Sequence, residues 1–217
     1  AGFEPAGVIV EILNDDGTMA RRSDLETFAQ THNLKLGTIA DLIEYRSLNE
    51  RSIEKVADCQ WPSRYGEFQL HAYQDTIDGL VHYGLSMGNI THDDPTLVRV
   101  HVADTLTDLL GGQREGKLSW QLDHALQRIA KEGHGVVLVV TKKECPRDII
   151  ERLTRMEGID KGNIPARKQH NQAVRTIGIG SQILADIGVG KMRLLSAPKR
   201  YNALSGFKLE VIEYIEE

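Results

Sequence analysis

The chain has 217 residues, 41% of them hydrophobic and 26% charged, with a formal net charge of -5 and a sequence pI near 5.9. This composition is typical of a globular protein, and the acidic balance argues against duplex DNA or an anionic membrane, which usually select a basic surface. Its two cysteines exclude a disulfide framework of the secreted kind, and the sequence contains neither a membrane-spanning run nor a signal-peptide pattern. We therefore expect a soluble, cytoplasmic protein whose partners include neither nucleic acid nor a membrane.

The N-terminal stretch predicts a strand, a tight turn and a helix. Branched apolar residues favour the strand, and the following NDDG favours a hairpin turn because Gly17 can adopt a positive φ. Ser23 and Glu26 have the spacing of a capping box at the start of a helix that Asn33 would stop. The predicted elements are strand 7–13, turn 14–17, helix 23–33, strand 34–39 and helix 40–48.

After a charged, aperiodic stretch at 47–58, which we interpret as a linker, strands and helices alternate. In the clearest helix Ser119 is the predicted cap and Gly133 the predicted end, and a second helix opens on Pro146. The buried stripe of the first helix is Leu122, Ala125, Leu126 and Ile129. The predicted elements are strands within 61–73, 78–90, 96–104, 135–140, 191–196 and 208–216, helices within 118–135, 146–156, 174–188 and 198–206, and a polar loop at 157–172. This alternation predicts a layered α/β domain.

Two stretches of the chain resemble known families. Residues 1–46, through the pattern PAGV…E…NDDGTMAR, resemble the C-terminal end of 3,4-dihydroxy-2-butanone 4-phosphate synthase, an enzyme of riboflavin biosynthesis. Residues 59–217 resemble GTP cyclohydrolase II, which is often fused behind that synthase, through PSRYGEF, LVRVH, QLDHALQRIAKEGHG and VRTIGIGSQILADIGVGKMRLLS. The resemblance implies an α/β fold, with a layered GTP cyclohydrolase II-like domain preceded by a strand–hairpin–helix remnant of the synthase domain.

For the synthase, the resemblance places the catalytic glutamate at Glu11. A carboxylate that moves protons suits a reaction through enediols, in which ribulose 5-phosphate yields the four-carbon phosphate and formate. The family's magnesium- or manganese-binding glutamate and histidine, and its phosphate-binding residues, match nothing in this chain, and Asn14, Asp15 and Asp16 are interpreted as turn formers. Glu11 is therefore expected to be catalytic only in the intact protein, and this chain alone to lack synthase activity and a cofactor.

For the cyclohydrolase, the resemblance implies zinc bound by three cysteines, which would activate the attacking water. Counting forward from His101 places Asp104 at the first cysteine, and counting back from the long helix places Gly116 and Leu118 at the other two. Glycine and leucine have no side chain that coordinates a metal, and Cys59 and Cys145 lie elsewhere in the sequence. Zinc is therefore predicted to be absent.

The nucleotide-binding positions of the family are partly retained. Thr141, Lys142 and Lys143 replace the Arg, Gln and Glu of its phosphate motif, whose glycines are missing. Arg175 falls at the catalytic arginine, and a guanidinium is suited to bidentate phosphate contacts. The remaining candidate ligand-binding residues are Arg64, Arg99, Ser196, Lys199 and Arg200.

Three functional interpretations follow. In the leading one, the cyclohydrolase-like domain keeps its fold without its chemistry, and it stabilises the synthase, holds a homodimer or binds a nucleotide or flavin-related regulator. In the second, the domain is an active cyclohydrolase with a metal site rebuilt around His101 and Asp104. The residues available to complete that site are His92, Asp93, Asp94 and Asp108. In the third, the domain is an interaction module that binds no small molecule.

Overall fold

The computed structural model describes residues 4, 6–38, 41–42, 45, 50–112, 120–162, 173–198 and 204–217. They fall into two compact units, Ala1–Ile43 and Glu44–Glu217. None of the helices described is long and apolar enough to cross a membrane.

The first unit contains the predicted turn but not the predicted strands. Leu13 bridges Met19 across the turn, the Asn14 N–H donates to the Thr18 carbonyl oxygen over 2.8 Å, and Gly17 has a φ of 83°. Residues 7–12 are not a strand, and Val8, Ile9 and Val10 are more than four-fifths exposed. Strand propensity needs a neighbouring strand to pair with, and the described residues supply none here. Residues 34–38 are not a strand either.

The helix of the first unit, α1, spans Arg22–Thr31 and begins earlier than predicted. Because the helix begins at Arg22, Ser23 lies within it and does not cap it. The Asp24 carboxylate instead accepts a hydrogen bond from the Arg21 N–H, just before the helix, over 2.8 Å. Asn33, with a φ of 51°, follows its end as predicted. Of the predicted helix 40–48, Asp41, Leu42 and Tyr45 are helical and the rest lies outside the described residues.

The second unit is built on a mixed seven-stranded sheet in the order β1-β2-β3-β5-β4-β6-β7. The strands β1, β2, β3 and β5 pair antiparallel, whereas β4 is parallel to β5 and β6, and β6 to β7. The strands are β1 (Ile53–Ser63), β2 (Gly66–Asp75), β3 (Val81–Met87), β4 (Thr96–Val102), β5 (Gly135–Val140), β6 (Lys191–Leu195) and β7 (Glu210–Ile215). Residues 53–58, assigned to a linker from the sequence, are the first half of β1 and pair with β2.

Among the described residues from 50 onward, the unit also contains three helices and two short turns. The helices are α2 (Leu122–Glu132), α3 (Pro146–Asp160) and α4 (Ala173–Ile187), with a π-helical turn at Thr105–Leu109 and a 3-10 turn at Leu204–Phe207. Gly133 ends α2 with a φ of 75°, as predicted, but Gln121 precedes its first residue, and Ser119 lies outside the described residues. Residues 157–160, predicted as loop, extend α3, and of the predicted helix 198–206 the described part forms only the 3-10 turn.

Helices cover both faces of the sheet, which confirms the layered α/β architecture. On one face Ile183 of α4 packs in a cluster with Val98 and Leu138, and on the other Ile129 of α2 packs in a cluster with Leu97. Side chains alternate between the two faces along a strand. Leu97, Arg99 and His101 of β4 therefore share the α2-facing side, and this side carries the candidate site.

Candidate functional site

A histidine and an aspartate form a pair where β4 ends. The His101 Nε2 lies 2.8 and 2.9 Å from the two carboxylate oxygens of Asp108, which belongs to the π-helical turn. Asp108 also accepts a hydrogen bond from the Asp104 N–H over 2.8 Å. His101 is 8% exposed, and among the described residues its Nδ1 has no hydrogen-bond partner. In the neutral imidazole whose Nε2–H donates to Asp108, Nδ1 is an acceptor.

Asp104, which the sequence places at the first zinc-binding cysteine of the family, is paired with two cations. Its Oδ2 accepts from Lys142 Nζ over 2.8 Å and from Arg152 Nη1 over 2.5 Å. Its Oδ1 caps the π-helical turn by accepting the N–H groups of Leu106 and Thr107. Partial burial acts to raise the pKa of Asp104, but the hydrogen bonds from Lys142 and Arg152 outweigh it and hold that pKa well below its ordinary value.

Replacing Asp104 with asparagine is expected to lower the free energy of unfolding at pH 7 by about 2–4 kcal/mol, at the lower end for a broken buried pair because Lys142 and Arg152 keep some solvent. Since the folded-state pKa is depressed, this contribution is present above the ordinary aspartate pKa of about 3.9 and is lost as the pH falls below it. Urea unfolding of the unchanged protein and of the variant at pH 7 and pH 3 measures this effect. The difference between their free energies of unfolding should be smaller at pH 3 than at pH 7. Asp93→Asn, at a 95% exposed side chain, is the control. A difference in the free energy of unfolding that is the same at both pH values would contradict this role of the Asp104 carboxylate.

The structure does not assemble the rebuilt metal site. His92, Asp93 and Asp94 precede β4, whereas His101 and Asp108 lie at and beyond its far end, about 20 Å away for a strand of this length. Within the ranges that the structure describes, no three His, Cys, Asp or Glu side chains are grouped to hold a metal ion. Two cations already occupy the Asp104 carboxylate. The residues that the structure describes here therefore do not fit the family's zinc.

A cavity of about 720 Å³ lies against the α2-facing side of the sheet. Arg64, Arg99 and His101 line it, together with residues of the π-helical turn, the start of α2 and the second half of α3. The Arg64 guanidinium carbon lies 4.8 Å from the centre of the Tyr65 ring, and Arg99 Nη1 donates to the Leu195 carbonyl oxygen over 2.9 Å. The cavity is thus lined by both polar and apolar side chains.

The other predicted site residues of the second unit are not among the described residues that line this cavity. Ser196 follows β6, and its hydroxyl donates to the Ala197 carbonyl oxygen over 2.8 Å. Arg175 lies in the first turn of α4, but its side chain is outside the description, as are Lys199 and Arg200. Glu11 is exposed in the first unit. The roles assigned to these residues stay predictions.

The contribution of α3 to the cavity was not predicted from the sequence. Five residues of this helix line the cavity, namely Arg152, Leu153, Met156, Glu157 and Asp160. Their spacing of three to four residues places them on one face of a helix, a signal that was available in the sequence. Because that face carries both charged and apolar side chains, its pattern does not predict a helix face that packs against a core.

Comparisons with known proteins agree with this architecture. The family model for GTP cyclohydrolase II matches residues 54–216, and that for 3,4-dihydroxy-2-butanone 4-phosphate synthase matches residues 1–45. A protein of Pseudomonas syringae pv. tomato named 3,4-dihydroxy-2-butanone 4-phosphate synthase is 47% identical over 218 residues, covering 99% of this chain and 58% of that protein. The riboflavin biosynthesis protein RibBA of Aquifex aeolicus is 43% identical, covering 99% of this chain and 54% of that protein.

A solved structure is also similar. The crystal structure of RibBX, a two-domain 3,4-dihydroxy-2-butanone 4-phosphate synthase from A. baumannii, matches with a TM-score of 0.65 and 38% identity, covering 94% of this chain and 52% of that one. The chain thus spans a little over half the length of the relatives that it matches. These matches confirm the resemblance read from the sequence. The chain belongs to the GTP cyclohydrolase II family and carries at its N-terminus a segment of 3,4-dihydroxy-2-butanone 4-phosphate synthase.

Proposed function

We propose that the full-length protein is a 3,4-dihydroxy-2-butanone 4-phosphate synthase of riboflavin biosynthesis, in which the GTP cyclohydrolase II-like domain has no cyclohydrolase activity. The observation that carries the proposal is the pairing of Asp104 with Lys142 and Arg152, where the family places a zinc thiolate. The relatives that match 99% of this chain include proteins named for the synthase alone.

The chemistry of the cyclohydrolase reaction explains why the loss is decisive. Attack on the imidazole ring of GTP needs a strongly activated water, and a catalytic zinc lowers the pKa of its bound water to about 7. A carboxylate already bonded to two cations has little affinity left for a metal ion. Lys142, at the family's phosphate motif, is one of those two cations and is occupied as well.

The domain would then serve the synthase in a structural or regulatory way. We propose that it holds a homodimer or binds a small-molecule regulator in its cavity. The synthase half would act on ribulose 5-phosphate with magnesium or manganese, held by residues of the full-length protein that this chain does not contain. A fold that has lost one chemistry can keep such a role, because packing and catalysis use different residues.

Two activity assays and a metal analysis of the full-length protein test the proposal. Formate should be released from ribulose 5-phosphate with magnesium, whereas formate and pyrophosphate release from GTP, with zinc and magnesium present, should not exceed the buffer blank. Metal analysis of the purified protein should find far less than one zinc per chain. Enzymatic turnover of GTP, or zinc bound at one per chain, would overturn the proposal and favour the active cyclohydrolase.

A further inference from the structure

Three polar side chains are joined by hydrogen bonds on the face of the sheet that α4 covers. His71 Nδ1 lies 2.7 Å from a carboxylate oxygen of Asp58, and His71 Nε2 lies 2.9 Å from the hydroxyl oxygen of Ser86. The three residues belong to the neighbouring strands β1, β2 and β3. His71 is on the same side of β2 as Tyr73, which packs in the cluster of Ile183. The group is therefore on the opposite face of the sheet from the cavity.

The order of these contacts is that of a serine nucleophile, its base and the carboxylate that orients the base. In the neutral imidazole whose Nδ1–H donates to Asp58, Nε2 accepts the proton of the Ser86 hydroxyl. A serine hydroxyl is a weak nucleophile until a neighbouring base takes its proton, and a third group has to hold that base in place. Such a site is recognised by geometry and not by the positions of its residues in the sequence.

The Asp58 carboxylate is held in its ionised form. The Gln69 side chain donates to its other oxygen, and this hydrogen bond lowers the pKa of Asp58 against the opposing effect of burial. The contact with His71 lowers that pKa as well. Lys55 Nζ lies 3.7 Å from the carboxylate oxygen that faces His71. An ionised carboxylate keeps the imidazole in the tautomer and orientation that the serine needs.

The surroundings of Ser86 suit a small acyl group. Ser86 is 6% exposed and the His71 side chain 12%, so the pair lies just beneath the surface. Gly84 pairs with His71 across the strands, and Ile187 from the end of α4 fills the space where a side chain at Gly84 would lie. Ile187 thus gives the imidazole an apolar neighbour.

A donor for the carbonyl oxygen of an ester is also at hand. Gln69 lies directly across from Ser86 on β2. Its Nε2 gives one N–H to Asp58, and the second N–H has no acceptor among the described residues. A fixed N–H beside the reacting carbonyl stabilises the negative charge that develops on its oxygen.

We propose that Asp58, His71 and Ser86 form an esterase site for esters of short acyl chains. Ser86 Oγ attacks the carbonyl carbon and passes its proton to His71 Nε2. The bond from that carbon to the alcohol oxygen then breaks, and the same proton goes to the departing alcohol. Water next attacks the acyl-serine and gives a proton to Nε2, which returns it to Ser86 Oγ as the acid leaves. Ser86 and His71 are the catalytic residues, and Asp58 is a positioning residue.

A fluorophosphonate probe and p-nitrophenyl acetate, each added to the full-length protein, test this proposal. In the probe reaction Ser86 Oγ bonds to phosphorus, the P–F bond breaks, fluoride leaves and His71 takes the proton. We expect peptide mass spectrometry to find the adduct on Ser86, and the ester to be hydrolysed through more than one turnover. Ser86→Ala should abolish that adduct and lower ester hydrolysis to the blank. Ser23→Ala, at an exposed serine of α1, is the control and should change neither.

Further variants separate a catalytic serine from one that is merely hydrogen-bonded. His71→Gln removes the base and should slow adduct formation by about 10²- to 10⁴-fold. Asp58→Asn should also slow it, and Asp58→Glu, which restores the carboxylate, should recover part of the rate. The adduct on the unchanged protein decides the question even if a variant does not fold.

Three results would overturn the proposal. They are a Ser86 that stays unlabelled, an adduct that forms equally fast in a folded His71→Gln variant, and an ester reaction that stops after one turnover. The inference is independent of the proposed function, because neither GTP turnover nor formate release involves these three residues.

Discussion

Replacing Glu11 with glutamine in the full-length protein is expected to lower the rate of formate release from ribulose 5-phosphate by about 10²- to 10⁴-fold, the usual contribution of a positioned acid–base group. Glutamine keeps the size of the side chain but cannot take up or release a proton. The turn beyond Glu11 supports its position, since the Ala20 N–H donates to the Ile12 carbonyl oxygen over 3.0 Å and the Asn14 N–H donates to Thr18. The measurement is kcat with saturating magnesium and substrate.

The control for this experiment is Glu26→Gln, which removes one carboxylate from the exposed side of α1 in the same unit. Its ion pair with Arg22 is an exposed i,i+4 contact whose loss changes little. We expect kcat of this variant to stay within about twofold of the unchanged protein, given an effect on stability of a few tenths of a kcal/mol. If Glu11→Gln retained full activity, the catalytic role assigned through the resemblance would be wrong.

Replacing Ile183 with alanine is expected to lower the free energy of unfolding by about 2–5 kcal/mol. Ile183 lies on α4, is fully buried, and belongs to the cluster that joins this helix to β4 and β5 through Val98 and Leu138. Truncation removes apolar burial and leaves a cavity between rigid elements that cannot close around it. The urea midpoint measures the change, provided that the slope of the transition is unaltered.

Ile150→Ala provides the matched comparison, because the same side chain is 62% exposed on α3. The expected change is within about 0.5 kcal/mol, as for surface substitutions that touch no special feature. Equal losses at both positions would mean that α4 is not the principal cover of this sheet face. Comparing the two variants thus shows whether Ile183 stabilises the protein by packing against the sheet or merely by being an isoleucine in a helix.

Much of the second unit was predictable because its elements carry regular hydrophobic patterns. GVVLVV is apolar on both faces and forms β5, covered by helices on both sides. The start of β1 was missed because Glu54 to Gln60 are exposed along a sheet edge, so no face of the strand carries an apolar signal. The opposite error at residues 7–12 came from branched apolar residues that no strand among the described residues pairs with.

The candidate site was predictable in composition but not in its contacts. Aligning the family motifs placed Asp104 at a zinc-binding position from sequence alone. That Arg152 would neutralise it could not be foreseen, because the two residues are 48 positions apart and meet only when α3 packs near the end of β4. Long-range ion pairs depend on the docking of whole helices, which local periodicity does not encode.

The order of the strands has a consequence for how the chain folds during synthesis. β5 lies between β3 and β4, although both are made before it. The β1–β3 meander can form from local contacts. One edge of β3 stays unpaired, and β4 has no neighbouring strand, until α2 has been synthesised and β5 can insert between them. Open strand edges are templates for pairing with other chains. The nascent protein therefore passes through an interval in which self-association competes with completion of the sheet.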